Sequence, residues 1–509
     1  MRRRTGARRH GAAAWDHVLA VAVPLCLCAP VPAAAQCPDG TPPPCAGPAL
    51  RAASPAPNSV AVLYFDNRSR DTADAFLADG LTEELITRLS QVRRLEVKSR
   101  FESLRFRGQR VTDPRAIGRA VGATYLVTGS LQQAGQRVRV NVALVRALSG
   151  TQVWGDVYER TGDFLAIQGE IAHEVAGAIT GRLLPQEQAS LARMPTHDPV
   201  AYDLYLRGVG AANTISESGM RAGLDYLQRA IARDSGFADA YVQKAVVWTM
   251  LADGYVEGRD GYARAREAAE QALRLDSTEA VAYALLSQAA VALDADAARG
   301  MTLAVRALRL DPGSWWGHAA LCTALFLSGT HSDSAILETR RGWEADTLSA
   351  VSAVLYLWTL SIMRPDAIAA ILPRMQNVLA PEDVRAFDGV TRLARGDAAG
   401  AAERLSWDYY GGTVAAEYVR AQLALGRRDA ARAAVDSMTA LSRRGYFNAF
   451  GAARAYAALG DADSAFAWLD RAWAQRTIWL VALRVCEDFA PLHADPRWAA
   501  LLRRMGLTP

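Results

Sequence analysis

The chain has 509 residues, 51% of them apolar and 22% charged, with a formal net charge of +4. That length holds two or three domains with a substantial core. All of the net positive charge sits in residues 1–35, where five arginines face one acid, Asp16, so the remainder is balanced and lacks the basic stripe that nucleic-acid binding as a main task requires.

Arg2, Arg3, Arg4, Arg8 and Arg9 precede an apolar run from Val18 to Val31, followed by Ala33-Ala34-Ala35. This pattern is a secretory signal peptide, residues 1–35. The run is short for a membrane span of about 20 residues and is broken by Pro24 and Pro30, which favours cleavage after Ala35 over a retained anchor. The expected location is therefore periplasmic or associated with the cell envelope, with no stable membrane span after signal removal. Residues 36–57 read as a Pro- and Ala-rich tether. Within it, Cys37 and Cys45 are placed to close a small disulfide loop in an oxidising compartment, two unpaired thiols being the alternative.

From Ser59 the pattern becomes α/β. Val60 to Phe65 form an apolar run suited to a buried strand, and Leu77, Leu81, Leu85 and Leu89 make one helical stripe within about 73–91. Leu95 to Lys98 is a second strand. Asp113-Pro114 starts a short helix through Val121, with Asp113 as N-cap. Tyr125 to Gln133 and Arg137 to Ala147 form a hairpin around Ala134-Gly135-Gln136, with Val138, Val140, Val142 and Leu144 alternating against polar neighbours. Gln152 to Tyr158 adds a strand, and Asp163 to Leu183 a closing helix. The order β-α-β-α-β-β-β-α occupies residues 58–184, and 185–196 reads as a linker.

Residues 197–509 carry helical repeats. Ala272-Leu273-Arg274-Leu275-Asp276 returns verbatim as Ala307-Leu308-Arg309-Leu310-Asp311, 35 positions later. Ala265, Gly300 and Ala335 keep the same step, as do Ala272, Ala307 and Gly342. Each pair of small residues lies two turns apart on one helix face, where a neighbour can approach closely. The alternate helices carry Tyr241 with Ala245, Tyr283 with Ser287, and His318 with Cys322, again keeping a small residue in place. Gly426 with Ala431 and Gly460 with Ala465 show a 34-residue step. Between about 348 and 412 the pattern blurs while helical periodicity persists.

These features resemble known families. The helix pairs, with their aromatic, small and closing Asp positions, resemble tetratricopeptide repeats. The strings Ser59-Val60-Ala61-Val62-Leu63-Tyr64-Phe65-Asp66-Asn67, Leu77-Ala78-Asp79-Gly80-Leu81-Thr82-Glu83-Glu84-Leu85, Tyr125-Leu126-Val127-Thr128-Gly129-Ser130 and Trp154-Gly155-Asp156-Val157-Tyr158 are similar to the TolB amino-terminal-like domain. The resemblance implies a multi-domain protein with a small α/β domain followed by an all-α superhelical solenoid. Bacteria place that α/β domain before tetratricopeptide repeats, often behind a kinase, a class III nucleotide cyclase or a winged-helix domain. This sequence has a signal peptide where such a domain would stand, which argues against an inherited enzymatic role, and the family offers no catalytic residues to carry over.

The residues that could do chemistry lack complete constellations. His173-Glu174 has Gly177 where a zinc-binding helix needs a second histidine, and Gly208-Val209-Gly210 lacks the third glycine of a dinucleotide turn. His331, Ser332, Asp333 and Ser334 fit the start of a helix better than a nucleophile relay. Asp79 with Glu83 and Glu84 is a candidate carboxylate site whose bland reading is a solvated helix face. Asp366, Glu382 and Asp383 are the slender case for a hydrolase in the blurred region. Cys322 and Cys486 read as buried core thiols.

The repeat register turns Asp239, Gln288, Trp316 and Thr323 toward a concave groove, with Trp316 as the anchor for a protein partner. No metal and no cofactor are expected. The function expected is that of a non-enzymatic exported scaffold, with an envelope sensor binding a small ligand through its α/β domain as the alternative.

Overall fold

A computed structural model describes residues 55–507 apart from short stretches, the longest being 70–74 and 109–112. The signal peptide, most of the tether and the Cys37–Cys45 pair lie outside the described residues. Residues 55–509 cluster as one compact unit. A mixed α/β part comes first, and helices make up most of the remaining chain.

The sheet is built from β1 (Ser59–Val62), β2 (Asp66–Asn67), β3 (Glu96–Val97), β4 (Tyr125–Ala134), β5 (Arg137–Arg146) and β6 (Thr151–Thr161). Its order is β3-β1-β4-β5-β6, with β2 also pairing β4. β1 and β2 run parallel to β4, while β4, β5 and β6 are antiparallel. The expected run Val60–Phe65 is split because Val62 pairs Val127 whereas Asp66 pairs Ser130, leaving three residues opposite two. That extra residue bulges the strand. The Phe65 ring lies on Gly129, where a Cβ would come within 2.4 Å of it, so the bulge depends on a missing side chain.

Four helices of this part are α1 (Ala75–Ser90), α2 (Arg100–Leu104), α3 (Pro114–Val121) and α4 (Phe164–Thr180). Short β2 and α2 are additions to the expected order. Asp113 caps α3 as the sequence predicts, accepting from the Arg115 and Ala116 amides at 3.0 and 3.2 Å. Alternation along β1 sends Val60 and Val62 toward α1 and α4, and Ala61 and Leu63 toward Ile117 and Val121 of α3. Residues 185–196, expected to be a linker, instead hold a further helix, α5 (Pro185–Ala192). Its Leu191 is buried, and the Leu191 carbonyl accepts from Arg88 at 2.8 Å.

The helical region begins with α6 (Pro199–Ala212), α7 (Glu217–Arg233), α8 (Ala238–Gly254), α9 (Gly258–Leu275), α10 (Ala280–Asp294), α11 (Ala297–Leu310), α12 (Trp315–Ser328) and α13 (Ser332–Ala345). It continues through α14 (Ala350–Met363), α15 (Ile368–Met375), α16 (Pro381–Ala394), α17 (Ala398–Arg404), α18 (Ala415–Ala424) and α19 (Arg428–Ser442). It ends with α20 (Ala449–Leu459), α21 (Ala462–Gln475) and α22 (Pro496–Arg504). Neighbours in sequence pack on one another: α6 on α7, α8 on α9, α10 on α11, α12 on α13. The identical pentads end α9 and α11 identically, each closing Asp amide reaching back to an Ala carbonyl at 2.8 Å (Asp276) and 2.9 Å (Asp311). The small positions Ala245, Ser287, Cys322, Ala265, Ala335, Ala272 and Ala307 are all fully buried.

The core does not stop where the sheet ends. One apolar cluster runs from Val60, Leu81 and Val140 through Ile171 to Tyr202, Leu206 and Phe237 on the first helices of the series. At the far end the chain returns on itself. The turn Ile478–Ala482 packs on α10 and α12, and α21 touches α9.

Two glycines mark these junctions. A Cβ at Gly80 would meet the Leu206 methyls at 2.7 Å, and one at Gly258 would meet the Arg476 carbonyl oxygen at 2.2 Å. A leucine side chain can shift, whereas a carbonyl is fixed by its backbone. Gly80→Ala also gains roughly 1 kcal/mol of helix propensity. Urea unfolding should therefore find Gly80→Ala within about 1 kcal/mol of the parent and Gly258→Ala destabilised by about 2–3 kcal/mol; equal midpoints would contradict the contact at Gly258.

Candidate functional site

The two junctions gather Asp79, Glu83 and Glu84 together with polar side chains that carry no motif in the sequence. At the first, α1 lies against α6. Arg207 sits over the Phe76 ring at 4.2 Å, Asn213 donates to Glu83 at 3.4 Å, and the Tyr64 hydroxyl donates to Glu83 at 3.3 Å. Beneath them the Tyr202 hydroxyl donates to Gln168 at 2.8 Å. Asp79 pairs with Arg107, and Glu84 pairs with Arg88 at 2.7 Å. Asp79, Glu83 and Glu84 thus form neither a carboxylate pair nor a solvated face, because each is held separately along the junction.

The second junction joins residues more than two hundred positions apart. Trp479 Nε1 donates to the Asp253 carbonyl at 3.3 Å, and the Arg259 guanidinium donates to the Ala474 carbonyl at 3.3 and 3.2 Å. The Trp479 ring meets Trp358 edge-on with centroids 4.6 Å apart. The Tyr262 hydroxyl donates to the Asp253 carboxylate. Burial pushes that carboxyl up to about 7, against the opposing pull of the Tyr262 hydrogen bond.

Behind this junction lies a buried ionic cluster. Arg454 donates to Glu417 at 2.5 Å, to Asp488 at 2.7 Å and to the Thr413 carbonyl at 3.0 Å, and Arg420 reaches Asp488 at 2.5 Å. The side chains of Arg454, Glu417 and Asp488 are 2–3% exposed. Burial alone would raise the Asp488 carboxyl, but the Arg454 and Arg420 charges hold it below its ordinary range. Neighbouring Cys486 is buried and its thiol is pushed up to about 12, chiefly by burial, so it is inert, as expected. Cys322 is likewise buried, with its thiol raised by the same cause.

The expected groove residues fall on three helices. Asp239 stands half-buried in the first turn of α8. Gln288 on α10 and Thr323 on α12 are buried, Thr323 donating to the Ala320 carbonyl at 2.9 Å, so these two face helix packing rather than an open surface. Trp316 is half-buried against Trp315, with ring centroids 4.2 Å apart, and packs on the α10 and α11 clusters. Small residues on α10 and α12 let the helices close over positions the repeat register had turned outward.

In the blurred region Asp383 is buried, accepts from the Tyr409 hydroxyl at 2.7 Å and caps α16 through the Ala380 amide at 3.1 Å. Burial raises its carboxyl. Asp366 and Glu382 are exposed and do not join it. His173 and Glu174 are exposed on α4. His331 lies outside the described residues, while Ser332 begins α13. Among the described residues no group of three or more His, Cys, Asp or Glu side chains is arranged to hold a metal ion.

No family model matches the chain. Over 194 residues it is 32% identical to a protein of Rhizobium meliloti (strain 1021) named "Putative adenylate cyclase 3". The match takes 38% of this chain and 33% of that one, so the chain spans about a third of the length of the curated relative. Among solved structures, the lipoprotein GNA1162 from Neisseria meningitidis is matched over 99% of its length and 25% of this chain, at 17% identity and a TM-score of 0.19.

The expectation of a non-enzymatic scaffold, and with it the envelope-sensor alternative, is corrected by the relative, which carries the name of an enzyme.

The charged groups at and behind the second junction can be tested separately. An Asp carboxyl raised in the folded state binds its proton more tightly there than in the unfolded chain, so its contribution to stability is complete below the unfolded value near 3.8 and is lost as pH rises toward 7. Asp253→Asn should flatten the fall in melting temperature between pH 4 and 7; an unchanged slope would remove Asp253 from the account. Arg454→Met leaves the buried carboxylates of Glu417 and Asp488 with the half-exposed Arg420 as their remaining counter-ion and should lower unfolding free energy by about 3 kcal/mol, measured by urea titration.

Proposed function

We propose that this chain belongs to an adenylate-cyclase system and sets the rate at which ATP is converted to cyclic AMP and pyrophosphate. The observation that carries the reading is the 194-residue match to the Rhizobium protein. Asp79, Glu84, Asp383, Glu417 and Asp488 are each engaged by a cation or a hydroxyl.

On this reading residues 58–184 act as a TolB amino-terminal-like domain and 197–509 as a solenoid of tetratricopeptide-like repeats, supported by the sequence strings and by the 35- and 34-residue steps. The apolar cluster shared by sheet and helices would carry a change at one part into the other. An exported location, periplasmic or at the envelope, stays part of the proposal on the strength of the Arg-rich and apolar residues near the start of the sequence. No described helix is long and apolar enough to cross a membrane. Protein contacts through Asp239 and Trp316, the two half-buried groove residues, would link the chain to other components of the cyclase system.

Cyclic AMP should be measured in the native cells with the gene intact, deleted and restored. At least a twofold change on deletion, reversed on restoration, is expected; unchanged cellular cyclic AMP would end the connection to the cyclase reaction altogether.

A further inference from the structure

Among the described residues only two that are not glycine have positive φ, Ala295 and Arg476, each at 55°. Both are helix C-caps, Ala295 ending α10 and Arg476 ending α21. An L side chain in that left-handed region is strained, and such strain gathers at sites where the surrounding structure holds the backbone for a purpose. Both residues line the same small cavity. It lies at the second junction, walled by Val291 and Ala292 of α10, Leu327 of α12, Trp473 of α21, and Leu480 of the returning turn.

The cavity has room for about one water-sized occupant, roughly 10 Å³ for its centre. Two polar residues line it, Arg476 and Thr477. Arg476 Nη1 and Thr477 Oγ1 are both buried and have no hydrogen-bond partner among the described residues, and Thr477 is 3% exposed. Two donors from consecutive residues are therefore enclosed without an acceptor, a costly arrangement unless something accepts from both.

Charge decides what that acceptor is. No carboxylate among the described residues pairs with Arg476, whose guanidinium lies over the Trp473 ring at 3.6 Å. Burial first, then the like charge of Arg259, push the Arg476 guanidinium down, with Asp294 opposing. Asp294 is already engaged, by Arg266 at 2.6 Å and Arg299 at 4.0 Å. The C-termini of α10 and α21 bring about half a negative charge each. Against these stand the full charges of Arg259 and Arg476, so the balance at the cavity stays positive.

We propose that this cavity is a binding site for a single halide ion, held by Arg476 Nη1 and Thr477 Oγ1, which latches the C-terminal turn onto α10 and α12. The size excludes carboxylates and phosphate, and two unpartnered donors on consecutive residues suit a spherical acceptor. Chloride is somewhat larger than water, and the thioether of Met505, which also lines the cavity, is the adaptable wall. Occupancy would stabilise the closed junction by mass action, because the cavity is walled by α10, α12 and the Ile478–Ala482 turn together.

The test uses the full-length protein. Thermal melting is followed in sodium chloride and in sodium gluconate at equal ionic strength, and crystals are soaked in sodium bromide for anomalous diffraction. The expected results are a melting temperature that rises saturably with chloride, on the order of 2 °C, and an anomalous peak in the cavity. Thr477→Val, nearly the same shape without the hydroxyl, should lose most of the chloride-dependent rise; should that variant fold poorly, Arg476→Lys removes the Nη1 donor and keeps the charge. Identical melting in chloride and gluconate, or density for water with no bromide signal, would overturn the proposal.

Discussion

Close approach of backbones through side chains no larger than a methyl or a hydroxymethyl group is the constraint on which the rest of the molecule depends. Gly300 shows it most plainly, since a Cβ there would lie 2.7 Å from Val291 and 3.2 Å from Ala324. Helices at that distance exclude water from long apolar faces and gain dispersion contacts with little side-chain entropy to lose. The device recurs at both junctions, as Gly80 under Leu206 and as Gly258 under the Arg476 carbonyl. What holds neighbouring helices together also holds the sheet to the helices and the end of the chain to its middle.

This explains how far the sequence could be read. Small residues repeated at 35 positions identify a helix series because their spacing is a direct image of packing, and the alternating valines of β5 identify a strand facing one core. The Asp113 cap and the buried cysteines are equally local. The split of the first strand at Phe65, helix α5 and the two added short elements were not legible, because they depend on contacts with residues far away in sequence. Two of the groove residues, Gln288 and Thr323, lie buried for a related reason. Repeat register says which way a side chain points on an isolated helix pair, but Gln288 and Thr323 point into space that the next helices fill.

One signal was present and unused. Arg454 is the single charge in the otherwise small and apolar helix α20, and acids stand 34 positions after it and 37 before it, about one repeat length in each direction. Arg497 with Asp463 and Arg504 with Asp470 are also 34 apart. Exposed pairs of this kind contribute little. The buried cluster is different, since taking three charges from water offsets most of their attraction, so its value lies in making any other register leave a charge unpaired. The apolar stripes of similar repeats would tolerate a slip by one unit, and the ionic cluster does not.

A series of repeats that touch only their neighbours passes a disturbance along one route and loses it by degrees. Here the contact between residues 253–259 and 474–479 adds a second route between the same points, so α8 and α21 cannot move independently unless that contact opens. The first junction ties the sheet to the start of the same series through Tyr202, Leu206 and Phe237. The helices that pack on the sheet are therefore tied at a second place as well, through Asp253, Tyr262 and Trp479. It is also where a carboxyl poised near 7 and two residues with left-handed backbone are found. Both are features whose free energy changes with small local rearrangements, so the junction is the part of the fold most sensitive to a shift of the C-terminal turn.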